Sequence, residues 1–585
     1  LFAEFKAFFP NNAVEYFVRY YDYYQPEAYV PQTDVYIEKD ASINEDIDRL
    51  RLSATSSLFS RSDVLIVASV SCIYGLGSPE DYSSMLVEVE IGNNFSRKEF
   101  LKKLVDIQYE RNNLELSRGK FRAKGDIVEI YPAYKQTAFR VEFSGEEITR
   151  ISEIDPISGD ILSNLKKLAI YPAKHFVMTE EKVKGAVKSI EEELNERISE
   201  LKTQGKLLEA QRLLSRTKYD MEMLNELGYC NGIENYSRHL SGRLPGTRPW
   251  CLLDYFGDDY LVIIDESHVT LPQLHAMYNG DQARKQTLVD YGFRLPSALD
   301  NRPLKFEEFM ELVRKMIFVS ATPTEYEVSK SAVVAEQIIR PTGLVDPPIS
   351  VRSTKDQIYD LIEEVKKRAK KNERVLVTTL TKRLAEELTR FLKEMKLRVK
   401  YLHSEINTLD RIEIIRDLRL GKFDCLVGIN LLREGLDLPE VSLVAVLDAD
   451  KEGFLRSGTS LLQVAGRAAR NVNGEVILYA DTMTESMRKT IEITDKRREK
   501  QVSFNKTHNI TPKTIEKAIK EGIESYKKAK EIVQDVTGET DEVYDINEVV
   551  AELERDMEEA ARNLQFEKAI VYRDQIARLK KMVKK

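Results

Sequence analysis

Two short motifs in this sequence carry side chains that can act on a phosphoryl group. The first, Asp265-Glu266-Ser267-His268, closes the apolar run Leu261–Asp265. Nucleotide sites in α/β sheets lie at the carboxyl ends of buried parallel strands, so this carboxylate pair is a candidate nucleotide site. We predict that Asp265 holds Mg²⁺ through its water shell and that Glu266 polarises the attacking water. Taken alone, an acidic strand end is often only a solvated loop.

The second motif is Gln463-Val464-Ala465-Gly466-Arg467-Ala468-Ala469-Arg470. Arg467 and Arg470 lie three positions apart and would share one helix face, while Gly466 permits close approach. Two guanidinium groups placed across a cleft can neutralise the charge that builds on a transferred phosphoryl group. We therefore predict that Gln463, Arg467 and Arg470 contact ATP. The alternative is a basic helix face.

Polar residues also follow several other apolar runs. Ser320-Ala321-Thr322 can sense the closure of a cleft, although such residues by themselves only form turns. Asn430–Asp437 offers Gly435 for tight approach to the nucleotide and Asp437 for a polar contact. Groups that could hold a sugar-phosphate chain occur at Thr378, Thr379, Thr381, His403 and Ser404.

A dense aromatic cluster lies near the start of the chain, at Tyr20-Tyr21-Asp22-Tyr23-Tyr24-Gln25-Pro26-Glu27-Ala28-Tyr29. Adjacent side chains point to opposite faces of an extended chain, so at least one tyrosine pair leaves the interior. Exposed phenol rings are good stacking platforms for bases. The cluster therefore predicts a nucleic-acid surface, and an irregular aromatic corner of the core is the alternative.

The composition limits the kind of protein. The 585 residues are 42% hydrophobic, which is enough for several domains with their own cores. No apolar run approaches the roughly 20 residues that span a bilayer, and no basic-then-apolar leader is seen, so we expect a cytoplasmic protein without a membrane partner. The four cysteines lack metal or disulfide spacing. The net charge of −8 requires that any nucleic-acid contact be local.

Short runs rich in Val, Ile and Leu recur between helical stretches, which is typical of parallel strands buried on both faces. These runs are Val64–Ser71, Leu261–Asp265, Met316–Ser320, Val375–Thr379, Cys425–Ile429, Leu443–Leu447 and Val476–Tyr479. The fold class is therefore α/β. We expect one α/β unit to end near residue 345 and a second to occupy 346–530, with a hinge at Gly343–Pro348.

Two insertions interrupt the first unit, which leaves 1–91 and 231–345 as its two parts. Residues 92–175 show short strands with turn signals, typical of an antiparallel meander, and residues 176–230 show a helical pattern. An acidic linker is expected over 531–545. Residues 546–585 predict a helical hairpin, small enough that we expect it to pair with a partner or a second copy.

Taken together, these motifs resemble those of the superfamily 2 helicases, and the chain closely resembles the UvrB family of bacterial nucleotide excision repair over nearly its whole length. Four segments carry the closer match: Tyr20–Ile43, Ser71–Gly77, Gly232–His239 and Ile429–Asp437. The resemblance implies two RecA-like helicase domains, an inserted antiparallel β-rich domain, an inserted helical domain and a C-terminal helical hairpin.

The resemblance also implies a function. Residues 20–43 would form a β-hairpin that clamps one strand of damaged DNA, so that the protein recognises and verifies damage with the use of ATP. The implied DNA contacts are Tyr20, Tyr21, Tyr23, Tyr24, Glu27, Lys39, Asp40 and Arg51. Arg51 would pair with Glu27.

Two protein partners are implied by the same resemblance. UvrA would bind the β-rich insert at Arg111, Arg122 and Lys124. Lys124 stands where we expect an arginine, and a lysine keeps the charge but loses the bidentate fork. UvrC would bind the terminal hairpin, which carries Phe566.

One family element has no match in this sequence. No segment fits Gly-x-x-x-x-Gly-Lys-Ser/Thr, the loop that cradles phosphates. Because the chain also opens at Leu1 without Met, we expect an N-terminal truncation. Two alternatives stay open: a non-catalytic scaffold that binds DNA and partners without turnover, and a UvrB-like processive translocase, against which the arginine motif and the terminal hairpin weigh.

Overall fold

The computed structural model describes residues 1–19, 21–93, 95–175, 180–402, 408–429, 438–451 and 453–515. These residues belong to two compact units, which divide between Val334 and Ala335. The predicted linker and terminal hairpin, with Phe566, lie outside the described residues, as do Tyr20, His403, Ser404, Gly435 and Asp437. None of the helices in the described part of the chain has the length and apolar character needed to cross a bilayer.

The first unit begins with a parallel strand pair and a long antiparallel hairpin. Its first elements are α1 (Phe2–Phe8), β1 (Ala13–Phe17), β2 (Tyr21–Gln25), β3 (Ala28–Val30), β4 (Val35–Ile37), β5 (Asp40–Ile43), α2 (Glu45–Ser60), β6 (Val64–Ala68) and α3 (Pro79–Ser84). Strands β1 and β6 pair in parallel, whereas β2 pairs with β5 and β3 with β4 in antiparallel fashion. The hairpin therefore has a base, β2–β5, and a tip, β3–β4. Asn44 ends it by capping α2.

The β-rich insert follows. It contains β7 (Val87–Glu90), α4 (Arg97–Asp106), β8 (Glu110–Arg111), β9 (Lys120–Lys124), β10 (Ile127–Tyr131), β11 (Ala138–Ser144), β12 (Glu147–Ile154), β13 (Ile161–Leu165) and β14 (Lys167–Ile170). Strands β8–β13 form one sheet in sequential order, as the meander predicted. One face buries Phe121, Val128, Val141 and Ile151 together with Phe100 of α4. The opposite face is polar, so it is open to a partner.

The helical insert consists of α5 (Glu180–Thr203) and α6 (Leu207–Leu227), joined at Gly205. The apolar stripe read from the sequence faces the core, since Ile190, Leu194, Ile198 and Leu201 are all buried. Spacings of three and four residues place these side chains on one face of α5. The predicted helical pattern is confirmed.

The rest of the first unit returns to parallel strands. It contains α7 (Ser237–Leu240), β15 (Val262–Ile264), α8 (Ser267–Asp290), α9 (Phe306–Leu312), β16 (Met316–Phe318) and α10 (Glu325–Lys330). Strands β15 and β16 pair in parallel. Ile264 is buried on one face, but Ile263 and Ile317 on the other face are 58% and 46% exposed. The prediction of burial on both faces is therefore wrong for this pair.

The second unit is a single parallel sheet covered by helices. It contains β17 (Ile349–Arg352), α11 (Gln357–Lys370), β18 (Arg374–Thr378), α12 (Lys382–Glu394), β19 (Val399–Leu402), α13 (Thr408–Arg419), β20 (Cys425–Gly428), β21 (Val441–Val446), α14 (Gly458–Ala465), β22 (Glu475–Tyr479) and α15 (Glu485–His508). The strand order is β17-β22-β21-β18-β20-β19. Every residue of β18, β20 and β21 is buried, so burial on both faces is confirmed here.

The predicted hinge near residue 345 is part of the second unit. The Arg340 amide donates to Gln501 at 2.7 Å, and the Asn505 side-chain amide donates to the Gly343 carbonyl at 2.7 Å. Gly343 has a φ of +73°, and a Cβ there would lie 2.7 Å from Ile510. Because this segment is packed against the end of α15, the unit boundary falls earlier than the sequence predicted.

Leu418 and Leu420, at the end of α13, give a matched test of the second core. Leu418 is fully buried, whereas Leu420 is 48% exposed. We expect Leu418→Ala to lower the free energy of unfolding by about 2–5 kcal/mol because it leaves a cavity. Leu420→Ala should change it by no more than about 0.5 kcal/mol. Urea denaturation measures both, and equal losses would contradict this account of the core.

Candidate nucleic-acid interface and nucleotide site

A bulge at the hairpin base decides where the tyrosines point. The register between β2 and β5 shifts from Tyr21 opposite Ile43 to Tyr23 opposite Ser42. An extra residue in one strand changes the alternation of side chains beyond it. As a result, Tyr21 and Tyr24, which would otherwise face opposite ways, stack with their ring centroids 4.8 Å apart and 23° between the planes. Both are partly exposed. The side chain of Tyr23 is not described.

A buried ion pair fixes the hairpin to the rest of the first unit. The Glu27 carboxylate accepts from Arg294 Nε at 2.9 Å and from the Tyr36 hydroxyl at 2.5 Å, and Arg216 of α6 lies 3.3 Å away. Burial alone would raise the pKa of Glu27, but Arg294, Tyr36 and Arg216 outweigh it and leave the pKa below its ordinary value. Burial, followed by the bond to Glu27, raises the pKa of Tyr36 to about 12.

Aromatic contacts hold the hairpin tip. The Tyr36 ring stacks on Phe293 at 4.5 Å with 5° between the planes, and Tyr29 lies 4.8 Å from the same ring. Arg212 of α6 covers Phe293 at 4.2 Å. No sequence signal marked Phe293, which follows α8 in a turn and belongs to no motif. Distant segments meet here only in the folded chain.

The return strand is tied down as well. Lys39 Nζ lies 2.6 Å from Glu234, within the segment Gly232–His239 that the sequence singled out. Asp40 is exposed at the start of β5. Arg51 does not pair with Glu27, so that prediction is wrong. Its guanidinium lies 3.9 Å over the Phe17 ring and donates to the Val18 carbonyl at 2.8 Å.

Two predicted DNA contacts therefore need correction. Glu27 and Arg51 are each only 6% exposed. Neither side chain is open to a strand in this structure, because each already makes buried polar or cation–π contacts. They support the hairpin, and of the predicted DNA contacts at its base Tyr21 and Tyr24 are partly exposed and Asp40 is exposed.

The carboxylates after β15 occupy a tight turn into α8. Asp265 is exposed, and among the described residues no side chain hydrogen-bonds to its carboxylate. Glu266 adopts a left-handed conformation with φ of 44° as α8 begins. The described residues contain no cluster of three metal-ligating side chains. Mg²⁺ in nucleotide sites needs only one or two carboxylates besides the phosphates, so an open Asp265 fits it.

Glu327 of α10 connects this turn to the next strand end. Its carboxylate, 2% exposed, accepts from the Ser267 hydroxyl and from the Thr324 amide. Beside it, the Ser320 hydroxyl lies 2.8 Å from His268 Nδ1. The two motifs read separately from the sequence are thus held together by direct bonds. A single buried carboxylate that belongs to neither motif completes the link.

The arginine motif lies in the second unit, and its helix is shorter than predicted. Helix α14 ends at Ala465, and a 3₁₀ turn follows at Ala468–Arg470. Since that turn has three residues per turn, Arg467 and Arg470 still project from one side. Gln463, Arg467 and Arg470 are all partly exposed. The three side chains are therefore not carried by one α-helix.

Arg456, which the sequence did not mark, supports the start of α14. It is 3% exposed, and its Nη2 donates to the carbonyls of Leu447 at 2.8 Å and Thr378 at 3.3 Å. Burial lowers its pKa to about 10. It therefore ties the strand ends to the helix that carries the arginine motif.

The predicted sugar-phosphate contacts at the end of β18 are not supported at two positions. Thr378 is 2% exposed and Thr379 is fully buried. Thr381 caps α12 by accepting from the Leu384 amide at 3.2 Å. The hydroxyl groups of Thr379 and Thr381 are used within the fold.

The polar face of the β-rich sheet carries Arg122 and Lys124, whereas Arg111, which lies opposite Phe121 in the register, is on the other side of the edge strand β8. Glu129, which is 7% exposed, binds Arg122 on β9 and Arg140 on β11, the latter at 2.7 Å. Arg111 and Lys124 are exposed on neighbouring strands. The three predicted partner contacts thus lie within two adjacent strands, and Glu129 fixes one of them.

Five families match parts of the chain. They are UvrB interaction domain at 87–176, UvrB third helical domain at 181–242, Helicase conserved C-terminal domain at 355–472, Ultra-violet resistance protein B at 478–520 and UvrB/uvrC motif at 547–581. The first two coincide with the β-rich and helical inserts described above.

Three related proteins match nearly the whole length of this chain. UvrABC system protein B of Natranaerobius thermophilus is 60% identical over 584 residues, which cover 99% of this chain and 89% of that protein. The same protein of Geobacillus kaustophilus is 60% identical over 99% of this chain and 89% of its own length. That of Bacillus caldotenax is 60% identical over 99% and 88%.

Similar solved structures include Mycobacterium smegmatis helicase Lhr bound to ssDNA and AMP-PNP, at 21% identity and a TM-score of 0.27, which covers 41% of this chain and 31% of that chain. S. cerevisiae Dbp5 bound to RNA and ADP BeF3 is 13% identical with a TM-score of 0.28, covering 48% and 77%. At these TM-scores the solved structures support no inference about this chain.

Glu27→Gln tests whether the buried ion pair holds the hairpin. The amide keeps the shape but leaves the Arg294 charge buried without its partner, which typically costs about 3–5 kcal/mol. We expect limited proteolysis within the hairpin to accelerate by about 100-fold or more. Glu38→Gln, at an exposed carboxylate of the same hairpin, serves as the control. Equal cleavage rates for the two variants would show that Glu27 is not the anchor.

Proposed function

This chain belongs to the UvrB family, and we propose from that premise that its tyrosine hairpin clamps one strand of damaged DNA. The chain acts in nucleotide excision repair. The observation that carries the proposed clamp is the stacked pair Tyr21 and Tyr24 at the base of a hairpin that buried contacts hold in place. Stacked phenol rings accept any base, so we expect no sequence preference.

Damage verification then follows because the hairpin is held rigidly in place. A strand passes the hairpin only if its bases can unstack and slide over Tyr21 and Tyr24. A bulky lesion cannot be turned out in this way, because the hairpin is fixed at its base by Lys39 and Glu27 and at its tip by Phe293. The distorted base stops there. The signal is therefore mechanical, and it depends on an anchored hairpin rather than on recognition of any one lesion.

ATP and Mg²⁺ are the proposed cofactors. Bound together they would supply the energy of phosphoryl transfer. Asp265 would hold the metal through water, and Glu266 would orient the attacking water. Ser267 and His268 keep these carboxylates in place through Glu327 and Ser320. In the second unit, Gln463, Arg467 and Arg470 would bind phosphate oxygens, with Arg456 positioning their helix.

UvrA and UvrC are the partners, and the proposed contact sites differ in chemistry. The strands β8 and β9 offer basic groups at Arg111, Arg122 and Lys124, which suit an acidic surface on UvrA. Residues 547–581 match the UvrB/uvrC motif and are the proposed contact for UvrC. All four cysteines are free, which fits the reducing cytoplasm where we place this reaction.

Tyr24→Ala tests the clamp. Loss of one aromatic platform removes about 1–3 kcal/mol of base stacking, so the Kd for single-stranded DNA should rise by about 5- to 150-fold. Loading onto a lesion-bearing duplex in the presence of UvrA should fall in parallel. Equilibrium binding of a fluorescent oligonucleotide measures the first effect, and gel retardation measures the second.

The matched control is Tyr359→Ala, which removes a tyrosine on α11 that is 62% exposed. This substitution should leave both measurements unchanged. If Tyr24→Ala retains native binding to the single strand and native loading, the hairpin does not act as a stacking clamp and the proposal fails.

A double substitution, Arg111→Ala with Lys124→Ala, tests the UvrA contact. Both side chains are exposed, so their removal should leave the fold intact while raising the Kd for UvrA by about 10-fold. Most of that change should appear in the association rate and should shrink at high salt. Surface plasmon resonance at two salt concentrations gives both quantities. Lys102→Ala, on α4 at the other face of the sheet, is the control.

A further inference from the structure

Arg19 lies directly on the aromatic surface at the hairpin base. Its guanidinium carbon is 4.4 Å from the Tyr24 ring centroid and 5.9 Å from that of Tyr21. The three groups therefore form one cluster, since the two rings are themselves 4.8 Å apart. Arg19 is exposed, and no carboxylate among the described residues lies within ion-pair distance of it.

This arrangement follows from the bulge in β2. Without the extra residue, Tyr21 and Tyr24 would point to opposite sides of the strand, and Arg19 could cover only one of them. With it, both rings face one side, and that side also receives Arg19 from the segment just before the hairpin. A planar guanidinium covers a ring face in the same way as a base does.

A further ring shares this region. Tyr74, from the segment Ser71–Gly77, is 38% exposed. Burial raises its pKa, and Asp281, Tyr24, Arg284 and Arg19 all act on its hydroxyl, so these groups surround one short stretch of surface. Arg284 is already engaged with Asp281 at 2.7 Å. Of the two cations beside Tyr74, Arg19 is therefore the one without an acidic partner in the described residues.

We propose that Arg19 occupies the stacking position of a base in the free protein and, when a strand enters, moves to a backbone phosphate of that strand. The inference rests on the proposed strand clamp and adds the residue that pairs with the strand's charge. A base stacks on tyrosine more strongly than an exposed guanidinium does, so the base displaces it. The released guanidinium then has a phosphate within reach, and no carboxylate among the described side chains competes for it. In a chain of net charge −8, such a local cation offsets part of the repulsion that an entering strand meets.

The test is the salt dependence of binding to a short oligo-dT by the intact chain. Each phosphate contact on a single strand contributes about 0.7 to the slope of log Kobs against log salt concentration. We expect Arg19→Ala and Arg19→Gln to lower that slope by about 0.7 and to weaken binding about 10-fold at low salt. Arg19→Lys should keep the slope, since it keeps the charge. Arg61→Ala, which removes an exposed arginine bound to Asp63, should leave the slope unchanged.

A second readout separates charge from stacking. A fluorescent base analogue in the strand is quenched when it stacks on tyrosine, so Arg19→Ala should retain the quenching of the bound strand while Tyr24→Ala should lose it. An unchanged slope in Arg19→Ala, with quenching lost in Tyr24→Ala, would overturn the role of Arg19 and leave the clamp standing. Native affinity and quenching in Tyr24→Ala would instead remove the clamp, and the role of Arg19 with it.

Discussion

The contact between Glu27 and Arg294 is the constraint on which the hairpin depends. Both side chains are about 5% exposed, and they come from segments far apart in the sequence. Burying two charges is expensive, and the expense is offset only when each partner has its remaining hydrogen bonds satisfied. Tyr36 donates a hydrogen bond to the carboxylate, Arg216 lies 3.3 Å from it, and Asp220 lies 3.6 Å from Arg294. Since a half-made network would be worse than none, the hairpin has one favoured position.

That position gives the helical insert a role in the hairpin. Arg212 and Arg216 lie on the same side of α6, four residues apart, and reach Phe293 and Tyr36 respectively. The insert therefore supports the tip from one side while the turn after α8 supports it from the other. An element that looks in the sequence like a solvated helical pair is part of the framework that holds the DNA-contacting strands.

Buried charged side chains also hold the strand ends in place, here one side chain at a time. Glu327 is buried and joins Ser267 to Thr324, and Arg456 is buried and joins two strand ends to α14. Each is a single charged side chain that satisfies several polar groups from different segments. Motif residues such as Asp265 lie in turns that residues outside the motifs hold in place. Positioning and contact are thus assigned to different side chains.

Local periodicity and motif residues that are adjacent along the chain were enough to predict the α/β class, the parallel strands, the antiparallel and helical inserts and the family. The sequence also placed Asp265 and Glu266 at a strand end and the tyrosines in a hairpin. It misjudged Glu27 and Arg51 as open contacts, since residue type gives no measure of burial. Arg294 and Phe293 anchor the hairpin because segments distant in sequence meet in the folded chain. Tyr21, Tyr24 and Arg19 lie together because a one-residue bulge reverses the alternation of side chains. Neither contact could be predicted from the sequence, and both are visible only in the tertiary structure.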